Sequence, residues 1–480
     1  MEPAPVSQSK VQRPPAGGKA PLVSFVLAMA AGGLLRIWMF HHFFEANGDT
    51  LVYGDIAKNL LLHGRYAISV NPGILHTTLI RLPGYPLFLA ACFKLFGMEN
   101  YAAPVWVQIA LGLGTCLVLA DLARRIAPPA LKTGAAHGTL WLAAMCPFTA
   151  IYEATPLTEG PTFFVLALAM WGAARFRERQ DWGSALGFTF AVTYAALLRP
   201  DGALAGLALA PAMLVALRDG SSRSLAARMR IALVCLLLAA APFAAWTWRN
   251  WRAFHVIQPL VPESAADPGQ FVNSGWERWV RTWCLDFVST YDIYWNVPGG
   301  DLDINQLPSR AFDSPAQRAE TAALADEYND GGDDFTPRID AEFAQLAEQR
   351  IAAHPLRFYL WLPLGRVTDM WLRPRVENMN IDLDWWVYAH HNQETEISWT
   401  LAALNALYLL LGIAGLCLRP RMGTWLLAYM ALRSAMLFFT VGAPEARYTL
   451  ECFPMLFALG GVALSRVWRR VASRRVAVRI

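Results

Sequence analysis

Apolar residues in this chain come in runs of roughly 17 to 22 separated by short charged stretches, long enough to cross a hydrocarbon core about 30 Å thick. Such runs occupy 22–40, 101–121, 136–152, 156–173, 183–199, 202–218, 231–248, 397–418, 422–440 and 451–468. The pattern predicts ten membrane-spanning helices. Two further apolar stretches fall outside that count. "PGYPLFLAACFKLFG" (83–97) is short, and "PLRFYLWLPLGRVTDMWL" (355–372) is interrupted by Pro, Gly, Arg and Asp. Both read as helices lying along the outer membrane face. In "RIDAEFAQLAEQRIAAH", Ile339, Phe343, Leu346, Ala347 and Ile351 recur at helical spacing with one buried face. "NDGGDDFTPR" before it reads as a loop followed by a helix start.

Lys and Arg in short loops mark the cytoplasmic side of a membrane protein. Five basic stretches, "LARRIAPPALK", "RFRERQDW", "RDGSSRSLAARMR", "RPRMG" and "RVWRRVASRRVAVR", orient the spans so that both termini are inside. Residues 1–21 are polar, Pro-rich and basic and read as a disordered cytoplasmic tail before an uncleaved first helix. A transmembrane core then fills 22–248, with a first outer loop at 41–100. An outer-face segment with amphipathic and interfacial helices follows at 249–396. The C-terminal helices and a basic tail occupy 397–480.

Composition agrees. The chain is 55% hydrophobic and 16% charged, against about 25% charged for a soluble domain. The expected class is therefore an all-α polytopic membrane protein. The net charge of +4 is no nucleic-acid signal, because most arginines lie in loops where orientation explains them. The cysteines show no paired spacing and no CxxC, which predicts neither a disulfide framework nor a metal site. His41, His42, His63 and His76 share the first loop, but their spacings match no standard ligand set. No internal repeat suggests an inverted-repeat transporter.

The stretch "EANGDTLVYGDIAKNLLLHGRY" (45–66) sets two carboxylates at a membrane edge. The spacing of Tyr53, Ile56, Ala57 and Leu60 predicts a helix over 49–62. Asp49 and Tyr53 then share a face, whereas Asp55 lies about 240° around the axis. The acids do not pair on one helix. Asp49 follows Asn-Gly, so it is either a helix N-cap or a chemical group, and spacing leaves both open. Asp55 is a solvated residue or an orienting partner.

"GDTLVYGDIAKNLLLHGRY" followed by "RLPGYPLFLAACFKLFG" resembles the first-loop signature of bacterial GT-C glycosyltransferases. These are integral-membrane enzymes of the glycosyltransferase 39 group, related to protein O-mannosyltransferases and aminoarabinose transferases. "LTEGPTFF" (157–164), "LLRPDG" (197–202), "WRNW" (248–251) and "EARYTLECFP" (445–454) continue the match in the usual order, and 265–340 matches nothing specific. The resemblance implies a GT-C fold and a polyprenyl-phosphate sugar donor. It also implies a lipid, glycan or protein acceptor outside the bacterial inner membrane, with the active site facing the periplasm. One displacement at the anomeric carbon inverts its configuration, with no cofactor and no metal. By motif position Asp49 is the base, with Tyr53 and Asp55 as catalytic partners. Arg81, Tyr85, Glu159, Arg199, Arg447 and Tyr448 are the groups for donor phosphate or sugar. Arg81 departs from the family pattern, since Leu82 separates it from Pro83. Glu159 also reads as a residue of a wet turn, Arg199 as the partner of Asp201, and Arg447 as a snorkelling arginine.

Two other classes compete: a transporter or flippase for lipid-linked intermediates, and a polymerase or ligase for polyprenyl-linked glycans. A transporter places ionisable residues near the bilayer midplane. Here the polar residues gather in outer loops, with Arg433 inside 422–440 as the exception, and no partner for it is evident in the sequence.

Overall fold

The computed structural model describes residues 19–71, 73–219, 224–262, 264–382, 385–387 and 389–477. The expected tail over 1–21 lies outside the described residues as far as residue 18. Helix α1 (Lys19–Phe43) leads to α2 (Asp49–His63), an antiparallel hairpin of β1 (Ala67–Asn71) and β2 (Ile74–Thr77), and α3 (Gly84–Phe96). The chain returns along α4 (Ala102–Ile126) and continues through α5 (Lys132–Ala144), α6 (Pro147–Glu153), α7 (Glu159–Arg179), α8 (Trp182–Leu198), α9 (Ala203–Asp219) and α10 (Leu225–Phe254). Of the described helices, those over Leu22–Phe43, Ala102–Ile126, Pro200–Arg218, Leu225–Phe254 and Asn392–Cys417 are long and apolar enough to cross a membrane. The other expected spans coincide with helices that are shorter or carry charge. The stretch 136–152 is not one span but two helices. Pro147 has no N–H to give to a continuing helix and biases its predecessor to extended backbone, and Cys146 sits at φ −77°, ψ 112°.

The bundle brings backbones close through small residues. A Cβ on Gly415 would stand 1.9 Å from the carbonyl oxygen of Leu459. Arg36, 1% exposed, pairs with Glu153 and donates to the carbonyls of Gly32 (3.0 Å) and Ala144 (2.9 Å), which locks α1 to α5 and α6. The arginine-rich loops meet at one end: the Arg421 amide donates to Ile126 (2.8 Å), and Arg228 donates to Leu217 (2.8 Å). The first loop lies at the other end. There the Pro-Gly-Tyr-Pro element seats α3 on the end of α8, where a Cβ on Gly84 would be 2.5 Å from the Leu197 carbonyl oxygen. With 13 residues, α3 is about 20 Å long, too short to cross.

The outer segment has a core of its own. It holds α11 (Ser274–Arg281), α12 (Phe287–Ser289), α13 (Pro315–Asp330), α14 (Pro337–Ala353) and α15 (Leu362–Leu372). Trp276, Trp279 and Trp283 are buried with Tyr328 and Phe343. On α14 the five apolar positions from Ile339 to Ile351 are all buried, and Thr336 caps the helix by accepting from the Ile339 amide. Asp340 accepts from the amides of Gly275 (3.1 Å) and Trp276 (2.9 Å), fixing α11 on α14. The stretch 355–372 is a π-helical turn, Arg357–Trp361, running into α15, with Leu356, Tyr359, Trp361 and Leu364 exposed.

The chain closes with α16 (Asn392–Cys417), α17 (Gly423–Thr440), the short α18 (Arg447–Leu450) and α19 (Phe453–Ala477), which packs on α5 and α16. Buried Arg375 ties the outer segment to this part, donating to the Ala446 carbonyl (2.5 Å) and the Thr449 hydroxyl (2.8 Å).

Candidate active site

Helix α2 is held at both ends by glycine in the left-handed region. Gly48 precedes it at φ 48°, and Gly64 ends it at φ 64° with its amide on the Leu60 carbonyl. Asp49 is the first helical residue, and its carboxylate makes no cap hydrogen bond to the helix. It turns instead to arginines from distant segments. Arg81 Nη2 donates to Oδ1 at 2.6 Å, and Arg447 Nη2 lies 3.6 Å from Oδ2. Burial pushes the Asp49 carboxyl up, but the Arg81 and Arg447 guanidiniums outweigh it and hold the group below the usual carboxylate range. Tyr53, one turn on, lies under the Arg81 guanidinium at 5.6 Å. Burial raises its phenol to about 12, so it is a neutral hydroxyl at neutral pH.

A network of ion pairs runs inward from Asp49. Glu159 begins α7 and is 1% exposed; it accepts from Arg199 Nη1 at 2.8 Å and stands 3.9 Å from Arg447. Arg199, at the end of α8, also meets Glu451 (3.0 Å) and Asp201 (3.5 Å). Arg433 pairs with Glu451 at 2.8 Å and Asp201 at 3.0 Å, and donates to the Tyr448 carbonyl at 2.6 Å. Arg447 pairs with Glu445 at 2.5 Å, which also accepts from the Tyr448 hydroxyl at 2.5 Å. Buried charges persist only where such partners compensate lost hydration.

Two cavities share Asp49, Leu157 and Arg447. One, of about 600 Å³, is lined by Arg81, Arg199, Arg281, Glu159 and Tyr448, with Met436 and Leu437 on its apolar side. The other, of about 820 Å³, runs between α2 and the outer segment past Tyr291, Trp295 and Glu377. The carboxylate of Asp49 stands at their junction.

Of the residues singled out by sequence, Asp49, Tyr53, Arg81, Glu159, Arg199, Arg447 and Tyr448 line the first cavity together. Two do not join them. Asp55 faces away and accepts from the Ser69 amide (2.5 Å) and hydroxyl (2.9 Å), which pins the hairpin to α2. Tyr85 is fully buried, donates to Gln108 at 2.8 Å and packs edge-on against Tyr53 at 5.1 Å, so it supports the site from behind. The resemblance implies a direct role for both, whereas spacing alone reads Asp55 as a solvated or orienting residue; here helix phase turns Asp55 to the hairpin and burial sets Tyr85 behind Tyr53. Sequence reasoning missed Glu445 and Glu451, although both lie in "EARYTLECFP". It left Arg433 without its partners Asp201, in the turn between α8 and α9, and Glu451, just after α18. In "WRNW", Arg249 donates to the Tyr66 and Thr78 carbonyls, both at 2.7 Å, and so holds the hairpin.

Residues 80–248 match the model of the dolichyl-phosphate-mannose-protein mannosyltransferase family. An oligosaccharyltransferase from Archaeoglobus fulgidus, solved with a tethered acceptor peptide, superposes on 96% of this chain at a TM-score of 0.50 and 14% identity. The chain has the GT-C fold. The chain spans about half of that archaeal chain, 51% of it. Two further structures align with lower scores. The A. fulgidus oligosaccharyltransferase AglB with an inhibitory peptide and dolichol-phosphate gives 0.48 at 13% identity, over 96% of this chain and 52% of that one. ArnT from Cupriavidus metallidurans, bound to undecaprenyl phosphate, gives 0.31 at 16% identity, over 97% and 81%. No curated protein matches the sequence. At these identities the structures speak to fold, and the site is argued from its own geometry.

Proposed function

We propose that this protein is an inverting glycosyltransferase that moves a sugar from a polyprenyl-phosphate donor to an acceptor at the outer face of a bacterial cytoplasmic membrane. The observation that carries the reading is Asp49 at the junction of two cavities, between Arg81 and Arg447. The first cavity combines guanidiniums with an apolar wall on α17, as a phosphate on a lipid chain requires. The second reaches Asp49 from the outer segment and takes the acceptor. The match of 80–248 to a dolichyl-phosphate-sugar-using family supports the donor class. The archaeal neighbour solved with dolichol-phosphate has a score too low to add weight.

The chemistry follows from charge. The donor phosphate meets Arg81 and Arg447 and competes with Asp49 for them. An acceptor hydroxyl attacks the anomeric carbon from the face opposite the phosphate. A C–O bond forms to the acceptor while the bond from the anomeric carbon to the phosphate oxygen breaks. The electron pair leaves on that oxygen, where guanidinium donors stabilise it. The hydroxyl proton passes to Asp49. A carboxylate held at low pKa is a weak base, and engagement of its arginines by the phosphate raises its basicity at the step that needs it. The step uses no metal: the arginines supply the positive charge. Arg433, the feature that suited a transporter, is paired with Glu451 and Asp201 inside the same outer network, which supports the transferase.

The test is sugar transfer from a radiolabelled polyprenyl-phosphate donor pool in membranes holding wild type, Asp49→Asn or Asp55→Asn at equal levels. The expected result is transfer lost in Asp49→Asn and kept in Asp55→Asn. Wild type that binds polyprenyl phosphate but never transfers overturns the proposal.

A further inference from the structure

The second cavity has a wall that neither the fold nor the transfer step uses. Phe287, Tyr291 and Trp295 cluster with ring centroids 5.5 to 6.0 Å apart. Phe287 is buried and anchors the group, while Tyr291 and Trp295 line the cavity at 51% and 47% exposure. Across from them runs the segment 376–382, which brings the amides of Asn378 and Asn380 and the carboxylate of Asp382 to the same cavity. Past Arg373 and Trp385 the space continues into a smaller cavity of about 390 Å³, lined by Trp386, Asp286 and Asp292.

At the edge of the second cavity, where it meets the smaller one at Arg373, stands a buried ion pair. The side chains of Arg373 and Glu377 are 9% and 7% exposed and face each other at 3.4 Å. The facing atoms are the Arg373 Nε and the Glu377 Oε1, which pair as ions without making a hydrogen bond. Burial raises the Glu377 carboxyl, and Arg373 offsets only part of it. Buried polar atoms in this state call for a ligand or water to complete them.

The chemistry of the lining selects the occupant. A lipid chain asks for apolar walls, and this cavity carries amides, carboxylates and guanidiniums. A pyranose ring has one apolar face of C–H groups and a rim of hydroxyls that both donate and accept. Aromatic faces on one side with amides and carboxylates on the other match both properties. A cavity of this size lies in the range that encloses a small ligand, and the extension adds room for a second unit.

We infer that the acceptor is a carbohydrate of at least two units. Its reactive sugar stacks on Tyr291 and Trp295 with a hydroxyl at Asp49, and the next unit passes Arg373 and Glu377 to Trp386. The inference rests on the assignment of the second cavity to the acceptor.

The test uses the full chain in lipid nanodiscs, titrated calorimetrically with four probes. These are trisaccharides of N-acetylglucosamine and of mannose, a Ser/Thr-containing peptide, and undecaprenyl phosphate. The expected result is binding of at least one trisaccharide, weakened about tenfold in Trp295→Ala and in Trp386→Ala. Trp295→Tyr, which keeps an aromatic face, restores most of it, and all variants hold undecaprenyl phosphate as wild type does, which excludes misfolding. If neither trisaccharide binds, if both alanine variants bind them like wild type, or if the peptide occupies this cavity instead, the inference falls. Undecaprenyl phosphate bound without any trisaccharide sinks the acceptor assignment and leaves the donor reading standing. Trisaccharide bound without undecaprenyl phosphate does the reverse.

Discussion

The two cavities that meet at Asp49 differ in what they offer. The first gathers guanidiniums from four separate segments, Arg81 before α3, Arg199 after α8, Arg281 on α11 and Arg447 on α18. The second exposes aromatic faces and side-chain amides, and its cations, Arg373 and Arg447, are each paired with a carboxylate. One side is therefore richer in guanidinium donors, set among carboxylates, and the other in aromatic faces and amides, and the carboxylate between them belongs to both. A site divided in this way suits the proposed transfer, in which a charged leaving group and an uncharged nucleophile meet at one base.

The sharpest way to break that division is at the shared carboxylate. Asp49→Asn is expected to lower transfer by about 10²–10⁴-fold, the usual contribution of a positioned base, while polyprenyl-phosphate binding is kept. Asp55→Asn, six residues on, should leave transfer close to wild type and lower the unfolding temperature through the lost Ser69 bonds. Equal losses in both variants would remove the distinction between the two acids.

Next comes the support behind the anionic side. Arg433→Leu strips Glu451 and Asp201 of a buried partner, a change that costs about 3–5 kcal/mol where charges are left uncompensated. A thermal melt that does not move would show that the network is not structural. A smaller effect is expected at Gly84→Ala, whose methyl must fit against the Leu197 carbonyl at the seat of α3; overpacking of this kind costs about 1–3 kcal/mol. An unfolding temperature equal to wild type would show that α3 seats loosely.

The subtlest effect is on pH. As the proposed base Asp49 acts when ionised, and its arginines hold its carboxyl below the usual carboxylate range. Wild-type transfer should therefore stay flat through mildly acid pH and fall only as the pH drops through that lowered value. Arg81→Gln removes the largest of the lowering influences, so Asp49 then takes up a proton at higher pH and the acid limb of the remaining activity moves upward. A limb that stays in place would mean that Asp49 is not the group titrating.

Much of this was legible in the sequence because it is periodic. Apolar run lengths marked where most helices fall, though not the break at Pro147, and the spacing on α14 named its buried face. Residues 83–97 and 355–372 were set apart from the spans, and both are short helical pieces. The spacing in the first loop also showed that Asp49 and Asp55 diverge. What spacing left open was whether Asp49 is a cap. That depended on where Arg81 and Arg447 come to rest, one 32 residues away and the other near the end of the chain. Tyr85 was misread for the same reason. A tyrosine in a matching motif gives no sign of its burial, and packing of α3 on α4 and α8 hides its hydroxyl on Gln108.

The sequence by itself determined the class of protein, most of its helices, the gathering of the acids after the first helix and the divergence of the two acids. These follow from hydropathy and helical phase, which are local properties. Tertiary structure alone decided the partners of Arg433, the junction of the two cavities and the aromatic wall facing Asp49. A buried charge is stable only beside a compensating charge, and that compensation comes here from residues far apart in the chain. It exists only once α2, α7, α8 and α18 have packed around one point.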